Sequence, residues 1–141
     1  MRVFAALRDE LGEEHVWLER PGWPARCVVV IKNPSNRTKV YCEAFQFDDN
    51  FIRSYNQAPR VNIDDRQSSI VMSYWYRAHL GDLETQKDYT LEVIKAMPVW
   101  GPLMACMGHP QAIVRVALRL AVWSVFLGII GIVLGIIGIV K

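Results

Sequence analysis

The side chains best suited to hold a metal or to act as nucleophiles are three histidines, His15, His79 and His109, and three cysteines, Cys27, Cys42 and Cys106. Cys106 and His109 have the spacing of two ligands on one turn, but no second such pair exists. A zinc site wants four protein ligands, or three with water. No metal and no cofactor is therefore expected. Asp48-Asp49 and Asp64-Asp65 set carboxylates side by side. Beside asparagines, such pairs read as solvated turns. Glu43 is the one acid expected on a sheet face. No glycine-rich phosphate loop follows a strand, and no Ser or Cys lies in a recognisable nucleophile setting. The chain is accordingly not expected to be an enzyme, and no catalytic residue is named. Asn36-Arg37-Thr38 matches a glycosylation acceptor. In a domain that stays on the cytoplasmic side it is a chance match.

Tyr74, Trp75, Tyr76 and Arg77 form an aromatic and cationic cluster. Trp, Tyr and Arg concentrate at protein interfaces, so these four are candidate partner contacts, with Trp75 alternatively a core residue. The net charge of +2 comes from Arg and Lys interleaved with Asp and Glu. Nucleic-acid binding needs a clustered basic face, and none is expected here.

The elements around these residues divide the chain into three. Residues 1–95 carry most of the charge and read as a small β-rich domain, barrel- or sandwich-like, of α+β class. Met1 to Leu11 reads as a short helix, because Val3, Phe4, Leu7 and Leu11 share one face before Gly12. Its apolar run is too short for a secretory signal. Strands are expected at His15 to Leu18, Arg26 to Ile31 and Thr38 to Phe47, the last two joined by the turn Asn33-Pro34-Ser35-Asn36. That hairpin sets Cys27 roughly opposite Cys42, as two free thiols rather than a disulfide. Phe51 to Tyr55 and Arg60 to Ile63 read as further short strands. Ser68 to Met72 reads as a strand, Ser73 as a helix cap, Tyr74 to Leu80 as a short helix stopped by Gly81, and Tyr89 to Ile94 as a strand. This strand, helix, Leu80-Gly81 turn and strand is similar to units of small swapped-hairpin and double-psi barrels, over residues 68–94 only.

Residues 96–110 are an apolar linker. Pro98, Gly101, Pro102, Gly108 and Pro110 are expected to prevent a continuous helix there. Trp100, with Met97, Leu103, Met104 and Met107, suits a bilayer surface or a neighbouring subunit.

Residues 111–141 read as one C-terminal transmembrane helix. Leu120 to Val140 is twenty-one residues without a charge. At about 1.5 Å per residue it spans about 30 Å, the thickness of a hydrocarbon core. Arg115 and Arg119 lie one turn apart at the headgroup level, Trp123 sits just inside, and Lys141 ends the far side. The two arginines outweigh Lys141, so the domain is placed on the cytoplasmic or interior side. Gly128, Gly131, Gly135 and Gly138 fall within a stripe about 80° wide. Their near-heptad repeat keeps one seam of small residues facing a partner.

These features read together as a non-enzymatic, tail-anchored subunit of a larger assembly. Its partners are the lipid bilayer and membrane or shell protein subunits, identical or different. A viral protein linking a membrane to a capsid is one concrete version. A homo-oligomeric pore-former or membrane-disrupting protein is an alternative, as is a membrane-tethered enzyme or ligand-binding domain.

Overall fold

A computed structural model of the chain describes residues 1–7, 14–57 and 59–140. Six strands form one mixed sheet: β1 (Arg2–Ala5), β2 (His15–Leu18), β3 (Arg26–Asn33), β4 (Thr38–Gln46), β5 (Ser69–Met72) and β6 (Glu92–Lys95), in the order β1-β5-β2-β4-β3-β6. Among the described residues four helices accompany it: α1 (Asp49–Tyr55), α2 (Tyr74–His79), α3 (Trp100–Met107) and α4 (Ala112–Val140).

The first strand corrects the expected N-terminal helix. Residues 2–5 pair in parallel with β5. Val3 and Phe4, neighbours in sequence, enter two different apolar clusters, which is the period-two signature of a strand. The rest of that expected helix, residues 8–11, lies outside the described residues. β3 and β4 form the expected hairpin, with Val29 opposite Cys42 and Cys27 opposite Ala44. The two cysteines are therefore offset by one pair along the same face rather than opposed, and both are free thiols.

Two expected strands are not strands. Residues 51–55 belong to α1, because Asp48 caps it, accepting from the Phe51 amide at 2.6 Å. Phe51, Ile52 and Tyr55 then face inward at helical spacing. Phe51 stacks on Trp17 with ring centroids 4.1 Å apart. The Tyr55 hydroxyl donates to the Ala5 carbonyl at 2.5 Å. Residues 60–63 have no ladder partner. The Asn56 side chain takes that role, accepting from the Ile63 amide at 2.9 Å.

Before β6 the chain runs along the free edge of β1. The Gln86 amide donates to the Val3 carbonyl (2.7 Å), Val3 to Lys87 (3.1 Å) and Tyr89 to Met1 (2.9 Å). One continuous stretch thus hydrogen-bonds β1 at one end of the sheet and forms β6 at the other. This explains why β6 begins at Glu92 rather than Tyr89. The main core, including Val3, Val16, Leu18, Val29, Ile31, Ile70, Met72, Tyr76 and Leu80, lies on one side. α1 covers a second cluster with Phe4, Val71 and Trp17 on the other.

The linker contains a helix after all. α3 forms because Pro102 falls in its first turn, where a missing N–H costs nothing. Gly101 lets it close on the sheet, since an added Cβ would meet that of Ala96 at 2.5 Å. α4 is one helix of 29 residues. Its Ala112–Gly138 part is long and apolar enough to cross a membrane.

Gly81 ends α2 with a positive φ of +101°. The Asn33 and Asn36 amides both donate to the preceding Leu80 carbonyl, at 2.8 and 2.9 Å. A Cβ on Gly81 would lie 2.0 Å from Asn36 Nδ2. Gly81→Ala should therefore destabilise the domain by about 1–3 kcal/mol. Gly22→Ala, at φ +76° in open space, should cost about 1 kcal/mol. Urea unfolding of the detergent-solubilised protein, followed by tryptophan emission, compares the two. Equal losses would show that the Asn36 contact contributes nothing.

Candidate functional site

Several polar side-chain contacts meet at the root of α4. The indole N–H of Trp75, on α2, donates to the Gly108 carbonyl at 3.2 Å. The Arg115 guanidinium, on the first turn of α4, lies 5.2 Å from the Trp75 ring centroid. Arg115 also donates to the carbonyls of His109 and of Pro110, the latter at 3.0 Å. The His79 ring also packs on Trp75, centroids 4.3 Å apart, and its Nδ1 donates to the Trp75 carbonyl at 2.8 Å. Trp75 is thus clasped between its own helix and the base of α4.

His109 completes the junction. Its Nδ1 accepts from the Gln111 amide at 3.2 Å, which leaves the ring proton on Nε2. Nε2 faces the Glu14 carboxylate in close contact. His109 is buried. The Tyr76 hydroxyl donates to the Glu14 carbonyl at 2.6 Å. Glu14 is therefore held through both its backbone and its side chain.

A cleft of about 220 Å³ opens here, lined by Glu14, Cys42, Glu43, Tyr76, Cys106 and His109 together with Val28, Pro102 and Ala105. Its groups are poorly set for nucleophilic chemistry. Burial pushes the Cys42 thiol far above its ordinary value, reinforced by Cys27 and Glu43. Burial likewise pushes the Tyr76 phenol up. Glu43 makes a two-pronged pair with Arg26, at 2.7 and 2.8 Å. Cys106 and His109 do share the cleft. Among the described residues, no three His, Cys, Asp or Glu side chains converge to hold a metal ion.

The acidic pairs serve turns and caps. Asp48 caps α1, and Asp49 pairs with Arg66 at 2.9 Å. Asp65 accepts from the Gln67 and Ser68 amides, and hydrogen bonding from Ser68 holds its carboxyl below the usual range. Asn36 of the acceptor-like triplet is bound to Leu80 and Thr38.

The aromatic cluster on α2 is split by the fold. Tyr74 is 65% exposed, with Arg77 5.7 Å from its ring. Trp75 is half-buried at the junction and Tyr76 lies in the core. Arg77 is half-buried and donates to the Leu83 carbonyl at 3.3 Å. Ser73 stands at the helix cap by backbone geometry, but its buried hydroxyl has no partner among the described residues. On α4, Arg119 and Trp123 are exposed, and Gly128, Gly131, Gly135 and Gly138 have open space where a Cβ would stand. Trp100 is 58% exposed on α3. Lys141 lies outside the described residues. The residues that sequence reasoning missed are Glu14 and the use of His79, His109 and Arg115 as clasps. Only the Arg115 position carried a signal, as a membrane-interface arginine.

No known protein family, curated protein or solved structure matches this chain.

Trp75→Phe keeps a ring under Arg115 and removes the indole donor. It should cost about 1 kcal/mol and speed amide exchange at Gln111 and the first residues of α4. Unchanged exchange there would show that Trp75 does not hold the turn. Because its thiol is kept protonated and buried, Cys42 in the folded protein should react with iodoacetamide at pH 8 more than about tenfold slower than in urea. Comparable rates would contradict its burial.

Proposed function

We propose that the chain is a non-enzymatic, single-pass anchored subunit whose terminal helix packs inside a membrane assembly while the sheet domain docks on a partner. The observation that carries this reading is the exposure of α4, from Arg119 through Gly138 without a break. Fifteen large apolar side chains stand exposed along it among the described residues. Leaving such side chains in water costs about 1.5–3 kcal/mol each. The sum exceeds the net stability of a domain, about 5–15 kcal/mol. An apolar surrounding, lipid or protein, resolves that imbalance. The length and hydropathy of α4 favour lipid.

The glycine stripe supports a helix partner. In lipid, helices associate by close packing, and small residues let backbones approach. Gly128 to Gly138 leave that approach open. The Ser124 hydroxyl donates to the Leu120 carbonyl at 2.9 Å, so it offers little to a water-filled pore and weakens the pore-former alternative. Asp48, Asp49, Asp65 and Glu43 are already engaged in caps, turns and ion pairs, which supports a non-enzymatic role. The stretch that joins the two sheet ends supports a barrel-like closure of the domain. Arg115 and Arg119 favour a cytoplasmic or interior location for it. A membrane-to-capsid linker in a virion remains one concrete form of this proposal.

Replacing Gly131 and Gly135 together by isoleucine should weaken association of the full-length protein in mild detergent by tenfold or more, roughly the effect of 1.4 kcal/mol. Sedimentation or light scattering reads the mass of the complex. An unchanged mass and unchanged companions would sink the helix-packing claim.

A further inference from the structure

α3 lies across the outer face of the β3–β4 hairpin, and the surface differs at its two ends. Its C-terminal end borders the cleft of Glu14 and Glu43. Its N-terminal end borders a second cleft, about 280 Å³, lined by Lys32, Lys39, Lys95, Tyr41, Met97 and Trp100 among others. Lys32 and Lys39 are directly opposite in the β3–β4 register. Like charges so placed destabilise a sheet. The adjoining hollow shares both lysines and adds Arg37. Glu92 is the single acid in either lining, in register with Lys32 across β6. Among the described residues none of the four cations forms an ion pair. Lys39 instead lies 5.9 Å from the Tyr41 ring. Lys95, in register with Val29, borders the cleft at its base but carries its ammonium to the opposite face, 5.2 Å from the Trp23 ring. The whole chain carries a charge of only +2, so this strip is a local concentration.

The strip runs into an apolar surface. Trp100, Leu103, Met104 and Met107 share one face of α3. Trp100 and Met107 are exposed, and so are Met97 and Val99 just before the helix. α3 has no charged side chain, and only the turn 108–111 separates it from α4. Cations bordered by an exposed tryptophan and flexible apolar side chains match the layering of a bilayer surface, phosphate outside and acyl chain inside.

We propose that the cleft formed by Lys32 and Lys39 with Trp100 binds the phosphate of an anionic phospholipid headgroup in the bilayer that α4 enters. The inference rests on the membrane anchoring proposed above. Trp100 and the exposed face of α3 occupy the headgroup–acyl boundary, and the lysines bind the phosphate. Anionic lipid relieves the opposition of Lys32 and Lys39 and holds the domain down against the membrane. Without it, only the clasp at the root of α4 restrains the domain.

The test uses the full-length protein in nanodiscs of phosphatidylcholine alone or with three parts in ten of phosphatidylglycerol. An amine-acetylating reagent and mass spectrometry report the labelling of each lysine. Lys87, paired with Glu84 at 2.7 Å away from this cleft, is the internal control. In the anionic discs, labelling of Lys32 and Lys39 should fall severalfold while Lys87 is unchanged. With Lys32→Gln, protection of Lys39 should weaken about fivefold, the effect of removing one lysine from a charged membrane surface. Equal labelling in the two discs would overturn the proposal and leave the strip to an acidic protein surface or to solvent. Protection in phosphatidylcholine discs by millimolar inorganic phosphate, with none from phosphatidylglycerol, would also overturn it, in favour of a soluble phosphate. If the protein entered neither disc, the anchoring itself would fail, an outcome distinct from equal labelling.

Discussion

The clasp between Trp75 and the root of α4 is the interaction on which the relation of domain to helix depends. Over Ala112–Gly138 the apolar side chains of α4 are exposed except for Val114 and Leu118, which are only half-buried, so its bulk contributes little to holding it to the domain. What holds it is local: the indole bond to Gly108, the guanidinium over the ring, and the bonds from Arg115 into the turn. A cation over an indole is worth about 0.5–1 kcal/mol at exposed sites, and each neutral hydrogen bond about 1 kcal/mol. The sum is small against a domain core but sufficient to favour one orientation of a single helix.

The clasp works because the fold beneath it is rigid. α2 is seated by Tyr76, whose ring enters the core and whose hydroxyl reaches Glu14. Gly81 turns the chain immediately after α2, and two asparagines fasten that turn to the β3–β4 hairpin. The hairpin in turn carries α3, which Gly101 brings close to the sheet. Movement of α4 is thereby resisted by elements drawn from three separate parts of the chain. His109, buried between Glu14 and the Gln111 amide, joins the last of these to the segment before β2.

Much of this was legible at the level of elements. The β3–β4 hairpin follows from two β-branched runs around Asn33-Pro34-Ser35-Asn36, and α2 from a short helical run before Leu80-Gly81. Errors fell where short apolar runs fit two periods. Val3, Phe4 and Leu7 share a helical face on paper, but parallel pairing with β5 decided for a strand. Phe51 to Tyr55 looked extended until Asp48 capped it. Pro102 looked like a helix breaker because its place in a first turn depends on where the helix begins. The candidate site was less legible. Trp75 stood out as an aromatic with cationic neighbours, yet its cation comes from Arg115, forty residues later. Glu14 carried no signal at all.

The sequence by itself determined the terminal helix, its length, its glycine stripe and its flanking charges. Those properties are local and additive: a run of apolar residues without a charge has one stable form and needs no distant contact to adopt it. Only the tertiary structure decided which aromatic faces the core, which histidine meets which carboxylate, and which lysines stand opposed across the hairpin. Those depend on strand register and on contacts between residues far apart in the chain. In a sheet, a shift of one residue turns every side chain to the other face.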